Sequence, residues 1–418
     1  EQLEGDYVDC VTREGFAISE RFNVPVLMRH TTRVAHTQGP VTLGELPPVP
    51  EHTFFVRDPG QLVPVPASAR RERQELIQRI GQAADQFESS PFNRLTRGEG
   101  TLGIVTTGVS HAYVQDAIQE LGLTGKVWLL KLGIPYPLAT GLVHQLLDGC
   151  DTVLVVEELE PFVEDAVRVQ LASMDRRVRV RGKNDAVLPV AGEYGPALVR
   201  EAVARVAGVD TPSRPAVSPV PDLPRRPPLL CAGCPHRASY TAVNMAVDER
   251  AVFMNDIGCY TLGLGQPLDT ADLLLSMGSS LPQGSGMWAA TGRKSVAFIG
   301  DSTFFHSGMT GLVNAAYNRH DLLVMVLDNH ITGMTGHQPN PSMALTGMGE
   351  MGEEIAIDEV ARACGADHVV VVDPRDQKAT EAAVREAYHM QGLRVVVSRA
   401  PCPVHEARTK GRPERYYR

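Results

Sequence analysis

Short apolar runs alternate with amphipathic stretches between residues 99 and 208. The apolar runs are at 102–106, 126–131 and 152–156, and helix-like stretches lie at 111–121 and 140–147. Strands that alternate with helices pair in parallel, because each helix carries the chain back across the sheet. The pattern therefore predicts a parallel α/β domain.

A second region with the same pattern follows, from 229 to 418. Its strand-like runs are at 295–299, 322–327, 368–372 and 393–397. Between the two regions lies a Pro-rich linker, 209–228, which favours an extended spacer. Ahead of them, the first 60 residues contain a helix-like stretch, 14–22, and an apolar strand, 24–28, and a linker at 61–98 includes a charged helix, 70–87. The fold class is thus a multi-domain α/β protein with parallel sheets.

Composition excludes several classes of protein. The net charge of the 418 residues is -9 and no block of like charges is long, so no nucleic-acid partner is expected. Apolar runs fall short of the ~20 residues that span a bilayer, and no secretory signal is present, so no membrane association is expected. The seven scattered cysteines favour a reducing compartment over a disulfide framework, which predicts a cytoplasmic protein.

Polar residues follow two of the predicted strands in the second region. Gly300, Asp301 and Ser302 come after one strand, and Asn329 comes after the next, with a helix predicted at 305–319 between them. A single right-handed crossover places both strand ends at the same edge of the sheet, where open α/β sheets bind ligands. Mg²⁺ prefers oxygen ligands and often bridges to phosphates. Asp301, Asn329 and the carbonyl of Ile331 are therefore candidate metal ligands; the alternative is a helix-capping Asp and an unrelated turn.

This arrangement resembles the thiamine diphosphate signature, Gly-Asp-Gly followed after a helix by Asn, with Ser302 in place of the third Gly. Two loops, 230–238 (LCAGCPHRA) and 332–341 (TGMTGHQPNP), resemble those of indolepyruvate ferredoxin oxidoreductase α subunits, as does Ala400-Pro401-Cys402. The first residue, Glu1, is not Met, and the chain begins and ends abruptly. We therefore expect a fragment of such a subunit.

The resemblance implies a role for each segment. Residues 1–60 would be the carboxy-terminal remnant of a pyrimidine-binding domain, and 99–208 a domain like the carboxy-terminal domain of transketolase. Residues 229–418 would be the diphosphate-binding domain. It implies the following cofactor-binding residues: Cys234, Gly258, Gly278, Gly300, Asp301, Ser302, Asn329, Ile331 and Thr332.

The resemblance also implies catalytic and substrate-binding residues. His236 and His36 would be catalytic, and Thr32 and Arg33 would bind the substrate from a loop after the strand at 24–28, with Arg33 facing the carboxylate of a 2-oxo acid. A surface ion pair is the alternative for Arg33. For the Gly-rich stretch 276–286, phosphate binding and helix packing both remain open.

Cys231-x-x-Cys234 admits other interpretations. A covalent haem site would need His directly after the second Cys, and a zinc site needs two more ligands. An iron–sulfur cluster needs about four thiolates, but Cys259 is isolated and Cys402 is remote in sequence. A redox dithiol remains open, and by resemblance the loop lines the cofactor pocket.

The implied activity is oxidative decarboxylation of arylpyruvates such as indolepyruvate. Coenzyme A would take the acyl group, [4Fe-4S] clusters would pass electrons to ferredoxin, and a β subunit would complete a heterodimer or heterotetramer. The activating Glu and the cluster domain are expected outside this chain, which supplies no cluster ligands and would not turn over alone. The alternatives are a non-oxidative thiamine-dependent decarboxylase, another 2-oxo acid oxidoreductase, and a non-catalytic interaction subunit.

Overall fold

A computed structural model divides the chain into two compact units, Glu1–Pro219 (unit 1) and Val220–Arg418 (unit 2). The structure describes residues 4–39, 44, 55–211, 223–224, 226–248 and 251–410. Most of the predicted Pro-rich linker lies outside these ranges. Within them, no helix combines the length and the apolar character needed to cross a membrane.

Unit 1 contains eight helices and five strands among its described residues. The helices are α1 (Glu4–Phe22), α2 (Thr32–His36), α3 (Pro59–Leu62), α4 (Pro66–Phe87), α5 (Ser110–Glu120), α6 (Thr140–Gly149), α7 (Phe162–Ala172) and α8 (Pro196–Ala207). The strands are β1 (Asn93–Thr96), β2 (Leu102–Thr107), β3 (Trp128–Leu132), β4 (Thr152–Val156) and β5 (Arg179–Arg181).

These strands form one sheet in the order β1-β3-β2-β4-β5. Strands β2 to β5 are parallel, as predicted, and β1 is an antiparallel edge strand beside β3. Alternate side chains along each strand face opposite layers, so the sheet has two apolar cores. One core packs against α5 and α8, and the other packs against α6 and α7.

The first part of unit 1 departs from the sequence analysis. The helix predicted at 70–87 is present as α4, but residues 24–28 form no strand. Leu27 in this stretch is 91 % exposed, and a lone extended segment without a pairing strand gains no sheet hydrogen bonds. The prediction of a strand followed by a loop was therefore wrong, because Thr32, Arg33 and His36 lie on the short helix α2.

Unit 2 contains seven α-helices, one 3-10 helix and five strands among its described residues. The helices are α9 (Pro235–Ala246), α10 (Ser280–Thr291), α11 (Asp301–Thr303), α12 (Met309–Tyr317), α13 (Ile357–Ala363), α14 (Gln377–His389) and α15 (Pro403–Thr409), with the 3-10 helix at Cys259–Leu264. The strands are β6 (Val252–Met254), β7 (Ser295–Gly300), β8 (Leu322–Asp328), β9 (His368–Val372) and β10 (Leu393–Arg399).

The unit 2 sheet is parallel throughout, in the order β6-β7-β8-β10-β9. Every residue of β7 and β8 is buried, which explains why their sequences read as continuous apolar runs. Helices α10, α12 and α13 cover one face, and α9 and α14 cover the other. The crossover between β7 and β8 is helical from Asp301 onward, with a π-turn at Phe304–Gly308, so it begins earlier than predicted.

Candidate cofactor site

The carboxyl ends of β7 and β8 bring Asp301 and Asn329 together. The two strands are neighbours, and Gly300 at the end of β7 lies opposite Leu327. The backbone N–H of Ile331 donates to Asp301 Oδ2 at 3.1 Å and to Asn329 Oδ1 at 3.3 Å. One donor thus bridges the two side-chain oxygens, so both face the same point. The predicted convergence of a carboxylate and an amide is present.

This point is shielded from water. Asp301 is 3 % exposed, Asn329 7 % and Ile331 2 %. Burial raises the pKa of Asp301, and the negative charge of the neighbouring Asp328 raises it further. Asp328 itself pairs with Arg399, whose Nε lies 2.7 Å from its Oδ2. A divalent cation beside Asp301 would stabilise the ionised carboxylate, and the oxygen donor set of Asp301, Asn329 and the Ile331 carbonyl is the kind that Mg²⁺ prefers.

His236 lies against the amide of Asn329. Its Nε2 is 3.5 Å from Asn329 Nδ2, and the ring is 3 % exposed. Burial lowers the pKa of His236 to about 4, so the ring is neutral near pH 7. A neutral ring nitrogen can accept the amide N–H, which turns the amide oxygen of Asn329 towards Asp301.

Tyr260 explains two of the predicted glycines. A Cβ added to Gly300 would lie 2.4 Å from the Tyr260 ring, and one added to Gly258 would lie 2.3 Å from it. The Tyr260 hydroxyl donates to the Ile257 carbonyl at 3.0 Å and can accept from Thr303 Oγ1 at 3.1 Å, which fixes the ring between the loops. The glycines are therefore required for the packing of an aromatic ring, a reason that the motif alone did not supply.

The Gly-rich stretch 276–286, for which phosphate binding and helix packing were both open, makes contacts of two kinds within the protein. The N–H of Gly278 donates to both carboxylate oxygens of Asp256, each at 2.8 Å, and Ser280 Oγ lies 3.2 Å from the same carboxylate. A Cβ on Gly284 would meet Leu322 at 2.5 Å. The first contact anchors the loop to a buried Asp, and the second supports the helix-packing interpretation of Gly284.

Two other predicted cofactor-binding residues also use their backbone N–H groups within the protein. Ser302 N–H donates to Asp301 Oδ1 at 2.8 Å, and Thr332 N–H donates to the Gln338 carbonyl at 3.0 Å. Both residues border the site.

Four cysteines from three separate segments of unit 2 lie within electrostatic range of one another, and we call them the cysteine group: Cys231, Cys234, Cys259 and Cys402. The pKa of the Cys234 thiol is raised to about 12, mainly by burial, with Cys259, Cys231 and Cys402 among the smaller causes. The pKa of the Cys259 thiol is raised to about 11, mainly by burial, with Cys402 and Cys231 as the next causes. Cys259 and Cys402 are distant from Cys231 and Cys234 in the sequence, and the fold brings these segments within electrostatic range of one another.

The cysteine group adjoins the tip of β8. The N–H of Cys402 donates to the Asn329 carbonyl at 3.2 Å, and Ala400 N–H donates to the Asp328 carbonyl at 3.0 Å. A Cβ on Gly333 would lie 3.3 Å from Cys259 Sγ and 3.9 Å from Asn329 Nδ2. The thiols and the Asp301–Asn329 pair therefore occupy one edge of the sheet.

His337 contacts the cysteine group through Cys402. Its Nε2 lies 3.9 Å from Cys402 Sγ, and Arg408 donates to its Nδ1 at 2.9 Å. Since Arg408 is always a donor, Nδ1 accepts and the ring proton sits on Nε2, which faces the sulfur. His337 adopts a left-handed backbone conformation, φ +66°, which is uncommon for a residue other than glycine.

The predicted unit 1 residues lie on or beside α2. Arg33 donates to the Tyr113 hydroxyl and forms an exposed ion pair with Glu193 at 3.3 Å. The Tyr113 hydrogen bond is the main reason that the pKa of Arg33 is raised. Thr32 and His36 are exposed on the same helix. The substrate-binding role of Thr32 and Arg33 and the catalytic role of His36 stay predictions.

Four residues of the site received no individual role in the sequence analysis, although they lie in or beside the loops that it singled out: Asp256, Asp328, Tyr260 and His337. Asp256 follows the short strand β6, and Asp328 ends β8, so position at a strand end was the available signal. Tyr260 and His337 act through side-chain packing across loops, for which a single sequence carries no comparable signal.

Two family models match the chain. The thiamine pyrophosphate enzyme, C-terminal TPP binding domain, matches residues 256–398, and the indolepyruvate oxidoreductase domain matches residues 94–210. The first covers β7, β8 and the Asp301–Asn329 pair. Unit 2 is thus a thiamine diphosphate-binding domain of parallel α/β architecture.

Named relatives extend the similarity over nearly the whole chain. This chain is 43 % identical over 408 residues to the indolepyruvate oxidoreductase subunit IorA of Methanothermobacter marburgensis, and the match covers 96 % of this chain and 65 % of the relative. It is 40 % identical over 424 residues to the IorA of Thermococcus kodakarensis, covering 95 % of this chain and 65 % of that one. The chain is therefore a relative of the indolepyruvate oxidoreductase subunits IorA, and it spans 65 % of the length of these relatives.

A pair of Gly→Ala substitutions tests the packing of Tyr260. Gly300→Ala should destabilise unit 2 by roughly 1–3 kcal/mol, because the new methyl group overlaps the Tyr260 ring. Gly286→Ala in α10 should be neutral or stabilise by up to about 1 kcal/mol, since a Cβ there meets nothing within 4 Å. Urea unfolding measures both, and equal effects would contradict the assigned packing.

Proposed function

We propose that this chain is the cofactor-binding part of an indolepyruvate ferredoxin oxidoreductase. The complete enzyme would convert arylpyruvates to acyl-CoA and CO₂, with electrons passed to ferredoxin. The observation that carries the proposal is the shared Ile331 N–H, which joins Asp301 and Asn329 at adjacent strand ends of a thiamine diphosphate-binding domain.

Three oxygens of this site are proposed to hold Mg²⁺: a carboxylate oxygen of Asp301, Oδ1 of Asn329 and the carbonyl of Ile331. The metal would in turn hold the diphosphate of the cofactor, since Mg²⁺ commonly binds through few protein oxygens plus phosphates. Gly258, Gly278, Gly300, Ser302 and Thr332 shape the surrounding loops, and Cys234 opens the helix that carries His236.

His236 is proposed to position Asn329. The neutral imidazole accepts the Asn329 N–H and so keeps the amide oxygen available to the metal. A ring with a pKa of about 4 would be a weak base at neutral pH. This interpretation replaces direct acid–base catalysis by His236 with a role exerted through a metal ligand.

Bound thiamine diphosphate supplies a nucleophilic carbon for the 2-oxo group and an electron sink for loss of CO₂. This chain's own contribution is to bind and orient. The buried Asp301, Asn329 and Ile331 exclude water from the metal end, where electrostatic attraction is strongest. Arg33 and Thr32 are proposed to bind the substrate carboxylate, with His36 as a nearby acid or base.

The sequence analysis expected no cluster ligands in this chain; in place of that expectation, the cysteine group is proposed to hold a [4Fe-4S] cluster, for which four thiolates are the usual ligands. In the part of the chain that the structure describes, no three His, Cys, Asp or Glu side chains lie close enough to bind a single metal ion. A four-iron cluster spreads its ligands more widely than one ion does. Beside the cofactor site, it would provide the one-electron carrier that ferredoxin reduction needs.

Partners are proposed from the same family. A β subunit, coenzyme A and ferredoxin would complete the reaction. A different 2-oxo acid specificity is the second candidate, because a 192-residue stretch is 27 % identical to the 2-oxoglutarate synthase subunit KorB of Archaeoglobus fulgidus.

Cofactor binding is tested with Asp301→Asn, which removes the charge from the proposed metal ligand. Calorimetric titration with thiamine diphosphate and Mg²⁺ should show affinity reduced by about 100-fold or more. Loss of a residue that only hydrogen-bonds to a metal ligand already weakens metal binding by about 10- to 100-fold, and loss of the ligand itself should cost at least as much. Asp373→Asn, at an exposed ion pair, is the matched control and should bind normally. Equal affinities for the two variants would refute the metal site.

The reaction class is tested by product analysis. The complete protein with its partner subunit should convert indolepyruvate, coenzyme A and oxidised ferredoxin to an acyl-CoA, CO₂ and reduced ferredoxin. Formation of an aldehyde without ferredoxin reduction would instead identify a non-oxidative decarboxylase. Absence of turnover and of cofactor binding together would identify a non-catalytic subunit.

The cluster is tested by iron and sulfide analysis of the complete protein. Replacing any member of the cysteine group by Ser should remove about four iron and four sulfide per chain, the content of one cluster. Cys364→Ser in the same unit is the control and should retain them. If Cys259→Ser and Cys364→Ser have equal iron content and equal electron paramagnetic resonance spectra, the cysteine group holds no cluster.

A further inference from the structure

Unit 1 contains a set of buried polar atoms that the proposed function does not use. Thr106 Oγ1 near the end of β2, and Ser110 Oγ and His111 Nδ1 at the start of α5, are buried and have no hydrogen-bond partner within the described part of the chain. Thr106 is 0 % exposed and Ser110 is 1 % exposed. A buried polar atom without a partner lowers stability, so three in one strand-to-helix turn indicate a ligand.

Positive charge faces this turn from the neighbouring strands. Lys131 on β3 lies directly opposite Thr106 on one side and Arg94 of β1 on the other. Residues directly opposite one another in a sheet project from the same face, so the two cations and the Thr106 hydroxyl form one row.

The lowered pKa values of His111 and Lys131 are consistent with positive charge along this row. The pKa of His111 is lowered to about 4, mainly by burial, with the charges of Lys131 and Arg94 as the smaller causes. Burial also lowers the pKa of Lys131, with Arg94 as the second cause. Each group therefore experiences a positive potential that an anion would relieve.

The topology places the turn where ligands bind in related sheets. Without the antiparallel edge strand β1, the parallel strands follow the order β3-β2-β4-β5. The chain moves from β2 to β3 on one side of β2 and then crosses to β4 on the other, which makes the tip of β2 a topological switch point. The helix that follows, α5, has 11 residues and is preceded by Gly108 at φ +60°. A helix start at a switch point favours phosphate groups.

We propose that unit 1 binds a phosphoryl group at the tip of β2, held by Thr106, Ser110, His111 and Lys131, with Arg94 at the rim. The donors come from a strand, a helix start and a neighbouring strand, an arrangement that suits a tetrahedral anion better than a planar carboxylate. The ligand is free phosphate or a phosphate ester of a nucleotide cofactor. This site is independent of the thiamine diphosphate site.

The test uses the complete subunit, with its partner, already saturated with thiamine diphosphate and Mg²⁺ so that the diphosphate site is filled. Calorimetric titration at constant ionic strength employs inorganic phosphate, pyrophosphate and adenosine 3′,5′-bisphosphate, with acetate as the control anion. At least one phosphate compound should bind, and it should slow hydrogen exchange in residues 108–113. Lys131→Gln should weaken that binding about tenfold, and Lys126→Gln, at the amino end of β3, should leave it unchanged.

Thr106→Val is a second variant that should fold normally, because it removes only a buried hydroxyl that lacks a hydrogen-bond partner. Without phosphate the variant should be at least as stable as the wild type, and its affinity for the phosphate compound should be about fivefold weaker.

Tighter binding of the bisphosphate than of inorganic phosphate identifies a nucleotide source, and equal affinities identify the free ion. The proposal is overturned if none of the three compounds binds, or if Thr106→Val and a folded Lys131→Gln bind as the wild type does. Neither result would affect the cofactor site of unit 2.

Discussion

The parallel pairing of β7 with β8 is the constraint on which the cofactor site depends. Each strand is buried along its whole length and ends at the same edge of the sheet, so the first residues beyond the two tips must meet. The Ile331 N–H then links Asp301 to Asn329, and His236 sets the direction of the amide. Displacing one strand by a residue would separate the carboxylate from the amide and remove the proposed metal site.

Much of this arrangement was predictable because it depends on local pattern and topology. Continuous apolar runs marked β7 and β8, and right-handed crossovers dictated that their ends converge. The same reasoning failed at residues 24–28, where an apolar run has no strand to pair with. It also missed β1, whose four residues alternate between buried and exposed and pair antiparallel at an edge.

Contacts between remote segments could not be predicted in this way. Cys259 and Cys402 are 143 residues apart in the sequence (402 less 259), and yet Cys402 contributes to the raised pKa of the Cys259 thiol. The Tyr260 ring, which makes glycine necessary at 258 and 300, is likewise visible only once the loops are folded. Sequence motifs pointed to residues at the strand ends, and the three-dimensional packing shows the contacts that several of them make.

The hydrogen bonds from the segment after β10 to the tip of β8 have a practical consequence for truncated forms of the protein. Ala400 and Cys402 donate to the carbonyls of Asp328 and Asn329, so the segment after β10 supports Asn329, a proposed metal ligand that precedes these two donors by more than 70 residues. A shortened version that stops at β10 would keep every side chain proposed to touch the metal and still lose the scaffold that holds Asn329 in register. Boundaries for isolated domains should therefore be drawn beyond α15 rather than at the end of the sheet.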